Sequence, residues 1–140
     1  MDINTVFKRT LRIAYPAGKG EITLRTELDW DLDVRSTAVS EDGTIWTFTV
    51  ETQAHFLYFK PCLKSNGKLH WSVGPNKLLL MGEEDQRIAY PYFFGSDKGT
   101  FSKLINLKSS ILDHEHLVRV YLPPGYAENN LSTFPVAFMQ

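Results

Sequence analysis

The chain is poor in cysteine, in net charge and in long apolar runs. Among its 140 residues there is one cysteine, Cys62, which excludes a disulfide framework and a zinc site built on several thiolates. The formal net charge of −1 argues against nucleic acid as a partner, because proteins that neutralise phosphates usually carry a basic surplus. Since Lys8, Arg9 and Arg12 interrupt the apolar positions of residues 1–20, we expect no signal peptide, no membrane contact and a cytoplasmic location.

Catalytic and metal-binding signatures are also missing. The segment Gly95-Ser96-Asp97-Lys98-Gly99 has its serine in the wrong place for a nucleophile elbow. No phosphate loop or dinucleotide fingerprint is present. The acidic run Asp29-Trp30-Asp31-Leu32-Asp33 lacks the downstream glycine and acid of an EF-hand loop, and His114-Glu115-His116 has no other histidine near it in sequence. We therefore expect no catalytic residues, no metal and no cofactor.

The strongest local signal is a hairpin centred on Asn66-Gly67. Asn-Gly between two β-type runs predicts a type I′ turn, because both central positions of that turn need a positive φ. A two-residue turn fixes the register of the flanking strands. It places Ser65 opposite Lys68 and Cys62 opposite Trp71.

This register predicts the two faces of the hairpin, because successive side chains in a strand alternate. One face combines a cation with a flat indole, and its members are Tyr58, Lys60, Cys62 and Trp71. The other face points to the predicted core through Leu57, Phe59 and Leu63. The register also puts His70 and Ser72 on the core side, which a β-bulge near Trp71 would avoid.

Alternating apolar and polar residues predict several further strands. They cover residues 5–15, 21–28, 44–52, 77–81, 101–112 and 116–122, whereas residues 29–42 are predicted to form a long irregular loop. In the second of these strands Ile22, Leu24 and Leu28 share one face, with Glu21, Thr23, Arg25 and Glu27 on the other. Trp46 shares a face with Phe48 and Val50 and is expected in the core. Short strands with little 3.6-residue periodicity favour an all-β fold, an antiparallel β-sandwich of two sheets.

A change in composition after residue 90 marks a predicted domain boundary. Aromatic residues at 90–94 give way to the polar stretch Ser96-Asp97-Lys98-Gly99. We therefore expect a β-sandwich domain over residues 1–98 and a second segment over residues 99–140. An apolar run at residues 134–139 stops with the chain, which suggests that this second segment is truncated.

Three motifs occur in order between residues 21 and 77: Trp30, then Phe59-Lys60, then Trp71 with Pro75-Asn76-Lys77. Their order and spacing resemble those of a starch-binding carbohydrate-binding module. The resemblance implies an immunoglobulin-like sandwich that binds an α-glucan-like polysaccharide or oligosaccharide. It also implies a binding site made by Trp30, Lys60, Trp71 and Asn76.

These four residue types suit sugar chemistry. A pyranose ring has an apolar C–H face that stacks on an indole, and its hydroxyls need fixed donors and acceptors, which Lys60 and Asn76 could supply. On residue types alone an alternative stays open: Trp30 and Trp71 would be core or interface aromatics, and Lys60 a solvated side chain.

A second resemblance lies in residues 110–139. The run Arg119-Val120-Tyr121-Leu122-Pro123-Pro124-Gly125-Tyr126, followed by Phe134-Pro135-Val136, is similar to the first strands of an esterase family of the α/β-hydrolases. The resemblance implies a non-catalytic N-terminal module followed by the truncated start of an esterase domain, which would be its partner in the same chain. The alternative is a structural accessory domain that packs on the esterase and shapes it without binding a glycan.

Overall fold

The computed structural model describes residues 4–83 and 86–140, which form thirteen strands and no α-helix. In chain order the strands are β1 (Phe7–Ala14), β2 (Glu21–Thr26), β3 (Asp29–Val34), β4 (Ala38–Val39), β5 (Ile45–Thr52), β6 (Phe56–Ser65), β7 (Lys68–Trp71), β8 (Lys77–Leu80), β9 (Arg87–Ala89), β10 (Thr100–Phe101), β11 (Ile105–Lys108), β12 (Glu115–Val118) and β13 (Tyr121–Leu122). Across these two described ranges, no helix has the length and apolar character needed to cross a membrane.

Two sheets share one hydrophobic core. The first has the order β4-β5-β1-β9, and the second has the order β3-β2-β6-β7, with β8 paired to the other half of β6. The core takes Leu11, Ile13, Phe48, Val50 and Ala89 from the first sheet and Ile22, Leu24, Leu57, Phe59, Leu63 and Leu79 from the second. The predicted all-β class is confirmed. The first sheet is not purely antiparallel as expected, because β9 runs parallel to β1.

The predicted hairpin is confirmed in its turn and in its register. Asn66 and Gly67 have φ values of 51° and 72°, as a type I′ turn requires. Ser65 pairs with Lys68 and Cys62 pairs with Trp71. The core-facing side chains of β6 are those expected, namely Leu57, Phe59 and Leu63.

No bulge interrupts the pairing of β6 with β7. His70 and Ser72 stay on the core side, where His70 meets the segment that follows β9. The His70 ring meets the Phe94 ring edge-on at 4.8 Å between centroids. Ser72 is buried, and its backbone N–H donates to the carbonyl of Pro61 at 3.0 Å.

The loop predicted over residues 29–42 is wrong. This stretch contains β3, which pairs with β2, and β4, which pairs with β5. The prediction failed because the three aspartates of residues 29–34 argued against a strand, although Asp and apolar residues alternate there. Leu28 also departs from its predicted core position and is exposed, because β2 ends at Thr26. Trp46, which was expected in the core, is half-buried and packs against it.

Residues 99–140 form two separate two-stranded ladders, β10 with β13 and β11 with β12. The long strands predicted over residues 101–112 and 116–122 are therefore broken into short pieces. The apolar run at residues 134–139 is not in a strand. The two segments on either side of the predicted domain boundary are in contact, because the side chain of the buried Asn129 donates to the backbone carbonyls of Ala14 and Pro91.

Candidate functional site

The structure brings two of the predicted site residues together on the outer face of the second sheet. Trp30 lies in β3 and Trp71 ends β7, and their ring centroids are 6.4 Å apart with an angle of 57° between the planes. Trp71 keeps 40% of its surface exposed, and Trp30 is half-buried. Both indoles therefore reach solvent beside each other, as neighbours that one ligand could contact.

An irregular pairing of β2 with β3 places Trp30 there. Leu24 pairs with Val34 and Thr26 pairs with Asp29, so residues 30–33 lie opposite Arg25 alone. A regular ladder would hold one residue opposite each residue. The extra residues allow the backbone of Trp30 and the side chain of Asp33 to approach the Arg25 side chain.

Arg25 connects the two indoles. Its guanidinium lies 5.3 Å from the centroid of the Trp71 ring, within the range of a cation–π contact. Its Nη1 donates to the carbonyl oxygen of Trp30 at 2.7 Å. The hairpin register placed Lys60 on the same face as Trp71, and the structure adds a second cation, Arg25, which lies over the Trp71 ring.

Asp33 anchors Arg25 in turn. Its Oδ1 accepts from Arg25 Nε at 2.8 Å, and its other carboxylate oxygen pairs with Lys64 Nζ. Burial raises the pKa of Asp33, but the hydrogen bonds and charges of Lys64 and Arg25 outweigh that effect and hold the pKa below its usual value. Asp33 is therefore ionised at neutral pH and fixes the orientation of the guanidinium.

Asn76 belongs to the loop that follows Trp71, and Lys60 bonds to the backbone of that loop. Lys60 pairs with Arg25 across the sheet, and its Nζ donates to the carbonyl oxygen of Gly74 at 2.8 Å. Asn76 is exposed just before β8, and its side chain makes no hydrogen bond with any described residue. Lys60 thus holds the loop, while Asn76 keeps its donors and acceptor available to a ligand.

A covered layer lies beneath the two indoles. Alternation puts Thr23 and Cys62 on the outer face of the sheet, where they pair with each other, yet both are fully buried. Trp71 stands opposite Cys62 and, together with the charged side chains around it, forms the cover. Burial raises the pKa of the Cys62 thiol to about 11, so the thiol is protonated at neutral pH.

The other acidic and histidine clusters have local roles. Asp29 Oδ1 accepts from the backbone N–H of Asp31 at 2.9 Å, and the rings of His114 and His116 lie 4.6 Å apart. Within residues 4–83 and 86–140, no group of three or more histidine, cysteine or acidic side chains could hold a metal ion.

A cleft of about 450 Å³ lies away from the indoles, beside β1 and β9. Its described lining is polar or charged, with Lys8, Arg12 and Arg87 among it, and contains no aromatic ring. It offers no stacking surface for a sugar, and we place the candidate site at the indole pair.

Sequence reasoning missed Arg25 and Asp33. The only available signal was the alternation of β2, which put Arg25 on the outward face. β3, which carries Trp30 and Asp33, follows β2 after only two residues, but the irregular pairing of β2 with β3 that brings them to Arg25 has no signal in the sequence.

Neither a scan against models of known protein families nor a search of curated proteins finds a match for this chain.

Proposed function

We propose that this chain is a non-catalytic, starch-binding-type carbohydrate module with an immunoglobulin-like sandwich, attached ahead of an esterase domain. The observation that carries the proposal is the pair of solvent-reaching indoles, Trp30 and Trp71, held side by side through Arg25. Exposed aromatic residues held on rigid strands are suited to stacking, because they lose little conformational entropy on binding.

In this proposal the sugar lies across the indoles. The apolar face of a pyranose ring stacks on Trp71 and the next ring contacts Trp30. Asn76 forms a hydrogen bond with one sugar hydroxyl. The Lys60 ammonium donates one hydrogen to Gly74, and one of its two other hydrogens donates to a second sugar hydroxyl. Because the surface is open and few groups converge, we expect a Kd from roughly tens of micromolar to millimolar.

Calorimetric titration with a linear α-1,4-glucan oligosaccharide tests this proposal. The wild-type chain should bind, Trp71→Ala should lose most of the affinity, and Trp46→Phe should bind as the wild type does. Trp46 is the matched control, because it packs against the core from the other sheet. An absence of heat at millimolar ligand would refute sugar binding, and an equal loss for Trp46→Phe would refute the site.

The exposed apolar residues of the last segment favour a second candidate, a structural accessory domain that packs on the esterase without binding a glycan. Large apolar side chains are exposed in this segment, among them Phe101, Leu107, Ile111, Leu117, Val136, Phe138 and Met139. A contiguous apolar patch usually marks an interaction site, and this candidate requires these side chains to form one. The two candidates differ in one measurement: α-glucan raises the melting temperature if it binds the folded state and leaves it unchanged if the chain is only structural.

The esterase part of the proposal is supported by the resemblance of residues 119–126 and 134–136 alone. The chain itself lacks a serine placed as a nucleophile elbow requires. Purified protein should therefore not hydrolyse a p-nitrophenyl ester. Hydrolysis that a single substitution abolishes would show that a catalytic site lies within these 140 residues.

A further inference from the structure

A polar contact joins the last segment of the chain to the sandwich. The carboxylate of Glu128 accepts from the backbone N–H groups of Phe93, at 2.6 Å, and Phe94, at 2.9 Å. It also accepts from the hydroxyl of Tyr15 at 2.9 Å. Three donors, two of them backbone groups that otherwise need a partner, therefore converge on one side chain.

The neighbouring Asn129 secures the same contact. It is 1% exposed, and its Nδ2 donates to the carbonyl oxygens of Ala14, at 2.9 Å, and Pro91, at 2.8 Å. One buried amide thus satisfies two backbone carbonyls, one at the end of β1 and one in the segment after β9. Removing it would leave both carbonyls without this partner.

Close backbone packing completes the contact. Gly125 has a φ of 75°, and a Cβ built there would overlap the ring of Tyr92. Only glycine avoids both the strained backbone and the overlap. The backbone N–H of Asn129 donates to the carbonyl of Gly125 at 3.0 Å, which closes the turn against the sandwich.

The segment that Glu128 holds is in turn bonded to the loop after Trp71. The carbonyl of Tyr92 accepts from the backbone N–H of Val73 at 2.9 Å, and the Phe94 ring packs on His70 of β7. The residue after Val73 is Gly74, whose carbonyl accepts from Lys60. A continuous series of contacts therefore runs from Glu128 to the loop between Trp71 and Asn76.

We infer that Glu128 is a positioning residue for the sugar-binding surface. It holds residues 92–94, and these hold residues 70–74 beside Trp71. Its effect on residues 70–74 stands on geometry alone, whereas its effect on affinity rests on the proposed function. Because coupling between two sites is reciprocal, a bound glycan should also strengthen the contact of Glu128 with the sandwich.

Amide hydrogen exchange on the full chain tests the inference. Glu128→Ala should speed exchange at Val73, Phe93 and Phe94 by about tenfold or more relative to amides of the β1–β5 ladder. Glu128→Gln keeps an acceptor oxygen and should restore part of the protection. Asn130→Ala is the matched control, because Asn130 is exposed beside the buried Asn129, and it should change nothing.

The sugar titration adds a second readout. Glu128→Ala should weaken α-glucan binding several-fold, with Asn130→Ala unchanged. Unaltered exchange at Val73 in Glu128→Ala, or acceleration of every amide alike, would overturn the inference. If the wild type binds no glycan while Val73 exchange rises locally, the proposed function fails and the positioning of residues 70–74 by Glu128 stands.

Discussion

Replacing Arg25 by alanine should destabilise the fold by more than an ordinary surface change. The side chain makes three contacts: the ion pair with Asp33, the bond to the Trp30 carbonyl and the cation–π contact with Trp71. Hydrogen bonds to charged groups contribute about 1.5–3 kcal/mol. A partly covered cation–π contact adds about 0.5–2 kcal/mol.

These contributions share one side chain and do not add fully, so we expect a loss of about 2–4 kcal/mol in the free energy of unfolding. The side chains of Arg25 and Asp33 are only 14% and 18% exposed, so solvent screens this pair less than it screens a surface pair. Removal of the Arg25 side chain leaves the mostly buried Asp33 with Lys64 as its remaining charged partner. Against a typical stability of about 5–15 kcal/mol, such a change is readily measured.

Urea unfolding followed by tryptophan fluorescence and circular dichroism measures this loss, which should appear as a lower midpoint with an unchanged slope. Arg25→Lys should recover part of it, because an ammonium keeps the charge but cannot bridge Asp33 and the Trp30 carbonyl as the planar guanidinium does. Lys8→Ala is the control: its ion pair with Glu51 is 67% and 57% exposed, and we expect a change within about 0.5 kcal/mol. An equally small change for Arg25→Ala would refute the role given to this residue.

Three further predictions follow from the same region and from the contact of Glu128. Trp71→Ala should raise the reaction rate of Cys62 with a thiol reagent at least tenfold, because it exposes the thiol, whose pKa burial raises to about 11. An unchanged rate would contradict the burial of Cys62 beneath Trp71. Because the folded pKa of Asp33 lies below its unfolded value of about 3.9, its stabilisation is complete above about pH 5 and is lost as the pH falls to and through the folded pKa. Urea unfolding of Asp33→Asn should therefore show a smaller loss of stability on acidification than the wild type, and an equal loss would count against the ion pairs. Burial, together with the hydrogen bond and the charge of Glu128, raises the pKa of Tyr15. NMR titration of Glu128→Gln should therefore show a lower Tyr15 pKa than the wild type. An unchanged Tyr15 pKa would argue against the contact.

The hairpin could be predicted from the sequence because its information is local. Asn66-Gly67 sets the turn, and a two-residue turn sets the register of every pair beside it. This is why Trp71 was correctly placed opposite Cys62, and why the core side of β6 was correct. Turn chemistry and alternation were sufficient there without any distant contact.

Interactions between distant parts of the chain could not be predicted in this way. β3 follows β2 after two residues, but its aspartates argued against a strand, and one of the two cations that stabilise Asp33 is the distant Lys64 of β6. The contact of Arg25 with Trp71 was not predicted, because it depends on the register between β2 and β6. Residues 27–55 separate these two strands, and no one turn among them fixes that register. The same holds for Glu128, which meets Tyr15 across most of the chain.

The most direct test of the sugar-binding surface uses the three tryptophans of the chain. Each gives one indole N–H signal in a two-dimensional NMR spectrum, and single Trp→Phe variants assign the three signals. On addition of a linear α-glucan, the signals of Trp30 and Trp71 should move together and saturate, while that of Trp46 stays in place. Indole signals that all remain fixed at millimolar glycan, or a shift of Trp46 alone, would contradict the assignment of this surface.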